Sequence, residues 1–102
     1  MEDSDPPPRR LPRAEATRVV KMIGADPDRI VPVRHAVQRM RERGIAITLV
    51  RRVVQAGFID GEPWLDEHGN WRVTMRGRPA GEQLTVGVAI EWRRRLLIIT
   101  VF

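Results

Sequence analysis

Between Leu84 and Trp92 the chain alternates without a break, setting Leu84, Val86, Val88, Ile90 and Trp92 against Thr85, Gly87, Ala89 and Glu91. Successive side chains of a strand point to opposite faces, so this stretch makes an extended strand with one apolar side. That side needs an apolar layer to cover it, and the stretch before Gly57 supplies one at helical spacing. Ala14 to Ile23 places Ala16, Val19, Val20 and Ile23 on one helix face and stops at Gly24. Pro32 is expected to open a second helix, with Val33, Val37, Met40 and Ile45 as its buried stripe and Gly44 as its end. A third helix is expected from about Ile47 to Gln55, burying Leu49, Val50, Val53 and Val54 before Gly57 closes it. Its N-cap position is held by Ala46, which has no oxygen to accept a backbone N–H.

After Gly57 the period is two. Phe58 to Asp60, Trp64 to Asp66 and Trp71 to Arg76 read as strands, and Glu67-His68-Gly69-Asn70 has turn chemistry. Gly77 to Gly81 makes another turn, Arg93 to Arg95 a charged one, and Leu96 to Phe102 an almost wholly apolar last strand, expected to be internal or covered. The order predicts an α+β domain, with N-terminal helices packed on one face of a curved antiparallel β-meander. If Trp71, Val73 and Met75 pack on the helices, the opposite face carries Arg72, Arg76, Thr85, Glu91 and Thr100.

A chain of 102 residues is one domain at most. Met1 to Arg13 holds four prolines and, beyond the initiator, one large apolar residue, Leu11. It reads as a disordered tail before a single domain over 14–102. A domain of that size buries roughly 60–65% of its unfolded surface, so a partner or a second copy forming a homodimer would add useful stability.

The +5 formal charge is unevenly spread. Residues 1–31 and 58–102 each carry six basic and six acidic groups, whereas 32–57 sets six arginines against Glu42 alone. That excess lies on two expected helices and suits a polyanion such as RNA or DNA, or an acidic protein. No cysteine is present, and the two histidines are far apart without carboxylates at ligand spacing, so no metal centre and no cofactor are expected. The acidic, proline-rich start is not a signal peptide, and Leu96 to Phe102 is too short to cross a bilayer, so the expected location is cytoplasmic with no membrane contact.

The chemistry-bearing stretch is His35 to Ile45. Helix neighbours four apart bring His35 beside Arg39 and Arg39 beside Arg43. The helix dipole and these cations both disfavour the imidazolium, as a general base requires. A neutral base beside fixed cations suits phosphodiester chemistry; a solvated basic helix face has the same pattern. In a metal-free ribonuclease His35 would take the 2′-hydroxyl proton, Arg39 with Arg72 or Arg76 would neutralise the transition state, and Thr100 would position a phosphate oxygen. Glu91 is a second candidate base. Trp64, Trp71 and Trp92 read as core and cross-strand anchors, with base stacking as the alternative.

His35-Ala36, Arg39-Met40, Arg43-Gly44-Ile45 and Val50, then Trp71-Arg72-Val73, Gly77-Arg78, Leu84 to Glu91 and Ile98-Ile99-Thr100-Val101, together resemble an uncharacterised family of small bacterial domains over about 33–102. That family is similar to the RelE, ParE and BrnT toxins, of the barnase, EndoU, colicin and RelE type of fold. The resemblance implies a RelE-like, metal-independent endoribonuclease domain of a toxin–antitoxin system, with His35, Arg39, Arg72 and Thr100 in the catalytic set. Arg43, Arg76 and Arg78 would then contact RNA, including ribosome-associated RNA, and an acidic antitoxin would cover the arginine face. ParE-like members act on gyrase, so gyrase inhibition is one alternative. A non-catalytic basic module that binds nucleic acid or an acidic regulator is the other.

Overall fold

The computed structural model describes residues 6–102. It is an α+β fold of three helices and a mixed six-stranded sheet. Helix α1 spans Arg13–Gly24, α2 Arg34–Arg43 and α3 Ile47–Ala56, and a short 3-10 turn covers Pro27–Arg29. The strands are β1 Ile30–Pro32, β2 Phe58–Ile59, β3 Trp64–Leu65, β4 Trp71–Gly77, β5 Leu84–Glu91 and β6 Arg95–Val101. Their order is β1-β6-β5-β4-β2, with β3 also paired to β4.

The expected antiparallel meander is therefore incomplete. β1 runs parallel to β6, with Ile30 opposite Leu96 and Pro32 opposite Ile98. Proline is tolerated here because β1 is an edge strand and Pro32 is its last residue, so no ladder N–H is lost. Pro32 thus ends a strand, and α2 starts at Arg34. This pairing puts β6 between β1 and β5, in the interior of the sheet. A register shift between Gly87 and Val88 makes Thr100 the partner of Gly87 and Ile98 that of Val88.

Leu96, Ile98 and Val101 join Val73, Met75, Val86, Val88 and Ile90 in one apolar cluster with the buried faces of all three helices. The stripe of α2 differs from expectation: Ala36 and Met40 are buried, whereas Val37 is 38% exposed. Helical phase explains this, since Ala36 and Met40 are four apart and the small Ala36 lets the helix come close to β6. Gly44 closes α2 in the left-handed region (φ 66°), where a side chain is strained. Ile45 donates its N–H to the Met40 carbonyl at 2.8 Å, completing a Schellman-type end.

Helices α1 and α3 cap each other. Lys21 donates from Nζ to the carbonyls of Gln55 (2.9 Å) and Gly57 (2.8 Å), and Gln55 Nε2 donates to the Gly24 carbonyl (2.9 Å). Each side chain thus satisfies carbonyls that the other helix end leaves free. Partial burial there pulls the Lys21 ammonium below its ordinary range. Gly57 is needed for closeness: a Cβ would sit 2.4 Å from the Arg76 carbonyl oxygen and 2.5 Å from that of Val53.

The N-terminal expectation needs correcting as well. Met1 to Asp5 of the expected disordered tail lie outside the described residues. Pro6 to Pro12, however, form a strap against the domain: Leu11 is 5% exposed within the core, and Trp71 Nε1 donates to the Pro8 carbonyl at 2.9 Å. One leucine and one indole bond hold a segment whose prolines already limit the entropy lost on ordering. Leu11→Ala should therefore lower stability by about 2 kcal/mol or more in chemical denaturation. An unchanged unfolding midpoint would mean that the strap does not pack.

Candidate nucleic-acid interface

The face of the sheet away from the helices is built from β4 outward. Arg72, Thr74 and Arg76 alternate with the buried Trp71, Val73 and Met75. Opposite them on β5 stand Ala89, Gly87 and Thr85, respectively. A Cβ on Gly87 would lie 3.2 Å from Thr100 Cγ2, which puts the Thr100 side chain on this same face, beyond Gly87 from Thr74. Along the other side of β4, Trp64 pairs with Arg72 and Phe58 with Arg76. Trp64 and Phe58 are 47% and 59% exposed, so each arginine has an accessible aromatic neighbour.

Both guanidiniums are held. Arg72 lies over the Trp64 ring, 5.5 Å from its centroid, and its Nη1 is 3.5 Å from Asp66 Oδ2. Cation–π contact and the ion pair act on one side chain that is only 24% exposed. Asp66 is itself fixed, because its Oδ1 accepts the N–H groups of His68 and Asn70, both at 2.9 Å. This is an Asx-type turn closed by Gly69 at φ 82°. Burial tends to raise the Asp66 carboxyl; the two backbone donors and Arg72 outweigh it and leave the group below its ordinary 3.8. Arg76 Nε lies 2.7 Å from Asp60 Oδ2. Arg78, exposed on the next turn, reaches the Gly81 carbonyl at 3.5 Å.

The other expected residues lie on the helical layer. His35 is the exposed second residue of α2, and Arg39 follows one turn later with its Nε shielded from solvent and without a hydrogen-bond partner. Arg43 borders a groove of about 420 Å³ with Ile45, Leu49, Leu84 and Phe102. Because Ala36 and Met40 belong to the main apolar cluster, α2 covers the core side of β6 and not the face that carries Thr100. Among the described residues no hydrogen bond or ion pair joins the His35 side chain to any group. The expected catalytic set is therefore divided, with Arg72 and Thr100 on the open face and His35 and Arg39 on α2; of the expected RNA contacts, Arg76 joins the first pair and Arg43 the second.

Glu91, the alternative base, is engaged by the guanidinium of Arg95 at the β5–β6 turn, an ion pair that raises the Arg95 pKa further. Arg29 donates to the carbonyls of Arg94 (2.6 Å) and Arg93 (2.8 Å), pinning the same turn. Trp71 is a core anchor and Trp92 packs at the core margin, as expected for both, whereas Trp64 is not buried. Among the described residues no helix is long and apolar enough to cross a membrane, and no three His, Cys, Asp or Glu gather to hold a metal ion.

A family model for a domain of unknown function, DUF4258, matches residues 33–102. The chain belongs to the DUF4258 family. No curated protein and no solved structure matches it. The DUF4258 region contains α2, α3 and the five strands of the antiparallel part of the sheet; α1 and β1 precede it.

The pH dependence of the Asp66 turn follows from its sign. A carboxyl that is more acidic in the folded state stabilises above its ordinary value and loses that contribution as pH falls through the lowered one. Wild type should therefore lose more stability than Asp66→Asn between pH 5 and pH 2, measured as the change in thermal midpoint. Parallel losses would remove Asp66 as the group holding the turn.

Proposed function

We propose that this DUF4258 protein is a single-stranded RNA-binding module whose contact surface is the open sheet face. The observation that carries the reading is the Trp64–Arg72–Asp66 assembly. Here an accessible indole stands beside a guanidinium whose direction is already set, with Phe58 and Arg76 repeating the pair four residues along β4. A strand rises about 3.4 Å per residue, so the two arginines are roughly 14 Å apart along the strand. Such a face suits about two or three unstacked bases on aromatic rings, with phosphates on the guanidiniums. Duplex RNA does not offer its base faces in this way. The hydroxyls of Thr74 and Thr100 have no protein partner among the described residues and are available to a ribose 2′-hydroxyl.

Asp66 and Asp60 do not cancel this affinity. Asp66 is within ion-pair distance of Nη1 alone; Nε is enclosed, and the Nη2 end of the fork is left for a phosphate. What the aspartate contributes is orientation.

RNA cleavage is a second reading, favoured by one observation: the exposed His35 ring one helical turn from Arg39. In that reading His35 takes the 2′-hydroxyl proton, the 2′-oxygen attacks phosphorus, and the P–O5′ bond breaks as the 5′-oxygen takes a proton from water, giving a 2′,3′-cyclic phosphate and a 5′-hydroxyl end. His35 would act from the helical layer, separately from Arg72 and Thr100.

Titration of a fluorescent oligouridine separates the two. Trp64→Ala and Arg72→Ala are each expected to weaken binding about tenfold, in line with roughly 1–3 kcal/mol for a stacked base. His35→Ala is expected to bind as wild type, and the RNA should stay intact in EDTA. Cyclic-phosphate products that disappear in His35→Ala would replace the binding reading with cleavage, and no binding by the wild type would defeat both.

A further inference from the structure

The strap that precedes α1 makes a second basic surface, across the β3 margin from the open face. Arg9, Arg10 and Arg13 line a groove of about 570 Å³ whose other walls include Pro63 and Trp71, with Glu62 as its one carboxylate. All three arginines are exposed, and among the described residues none of their guanidiniums has an ion-pair or hydrogen-bond partner. They contrast in this with Arg72 and Arg76, each of which has an aspartate. The backbone that presents them is fixed by the buried Leu11 and by the bond from Trp71 Nε1 to the Pro8 carbonyl. Exposed cations on a fixed backbone lose less entropy on binding than the same cations on a loose tail.

Trp71 points to the helix side of β4, so the groove lies across the β3–β4 margin from the open face, and Pro63 and Trp64 form the passage between them. Pro63 and Trp71, which wall the groove, are the chain neighbours of Trp64 and Arg72, which form the stacked pair, and Trp64 is the β3 partner of Arg72. A strand of RNA leaving the Trp64 ring over the β3 edge therefore meets the strap arginines next. The strap lies before residue 33, outside the region that the DUF4258 model matches.

We infer that Arg9, Arg10 and Arg13 form a phosphate-binding extension of the RNA site, reached only by strands long enough to pass over the β3 edge. This rests on the open face being the primary RNA contact. A short strand is held by the sheet alone, and a longer one adds the strap.

The test uses the full chain, a 4-nucleotide and a 15-nucleotide oligouridine, and the triple variant Arg9→Ala, Arg10→Ala, Arg13→Ala. Removing positive charge beside the N-terminus of α1 does not harm the helix, so the variant should keep the wild-type melting temperature. For the 15-mer the variant is expected to bind at least tenfold more weakly. Its slope of log affinity against log salt should be shallower by about 2, since each phosphate contact on a single strand contributes roughly 0.7. For the 4-mer, affinity should stay within twofold of wild type. Equal affinities and slopes for the 15-mer would overturn the extension, as would an equal loss for both lengths, which marks a general charge effect. If wild type binds neither oligomer, the open-face reading itself fails; binding by wild type that the triple variant leaves untouched defeats the extension alone.

Discussion

β6 is hydrogen-bonded along both edges, parallel to β1 and antiparallel to β5, and it turns Leu96, Ile98 and Val101 into the helices. Burial of each such side chain stabilises by about 1.5–3 kcal/mol, so its register is strongly held. With that register set, the alternate residues of β4 and β5 have no choice of side. Arg72, Thr74 and Arg76 go to the face without helices, and the Gly87 position leaves room for Thr100 to join them. The composition of the open face is thus a consequence of the core, and the arginines on it are positioned by apolar packing behind them.

What then distinguishes these arginines from an ordinary charged surface is how they are oriented. An exposed ion pair is worth about 0–1 kcal/mol and contributes little to stability. The Asp66–Arg72 pair differs because its carboxylate is locked by two backbone donors and its guanidinium rests over an indole. A side chain that would otherwise sample many rotamers is held in place before any ligand arrives, which lowers the entropic cost of binding. The α2 cations have no such arrangement on their solvent side. Arg41 and Arg43 are exposed, and among the described residues neither they nor Arg39 has a carboxylate or aromatic ring holding the guanidinium.

Much of this was legible in the residues. The change of period at Gly57, the helix ends at Gly24 and Gly44, and the alternation of β4 and β5 lead directly to the layers and to the side on which Arg72, Arg76 and Thr100 lie. Two kinds of feature were not. The parallel β1–β6 pair depends on three residues, Ile30 to Pro32, too few for a period, and a proline there suggests a helix start as readily as a strand end. Contacts between distant segments were equally hidden: Leu11 reads as a lone apolar residue in a tail until Trp71 and the core are beside it. His35 shows the same difficulty at the site. Its four-residue spacing to Arg39 is a local property that the structure keeps, but which sheet face a helix covers is a global one. Asp66 carried a readable signal, an aspartate before a glycine-containing turn, although its reach to Arg72 required the β3–β4 register.

The most direct examination of the open face as the RNA contact is an amide and indole NMR titration of the isotope-labelled protein with a short oligouridine. The Trp64 indole N–H, the Arg72 Nε–H and the amides of Thr74, Gly87 and Thr100 should shift together and saturate at one concentration, while the α2 amides from His35 to Arg43 stay in place. Shifts confined to α2, with the β4 and β6 signals unmoved, would contradict the assignment and return the function to the helical layer.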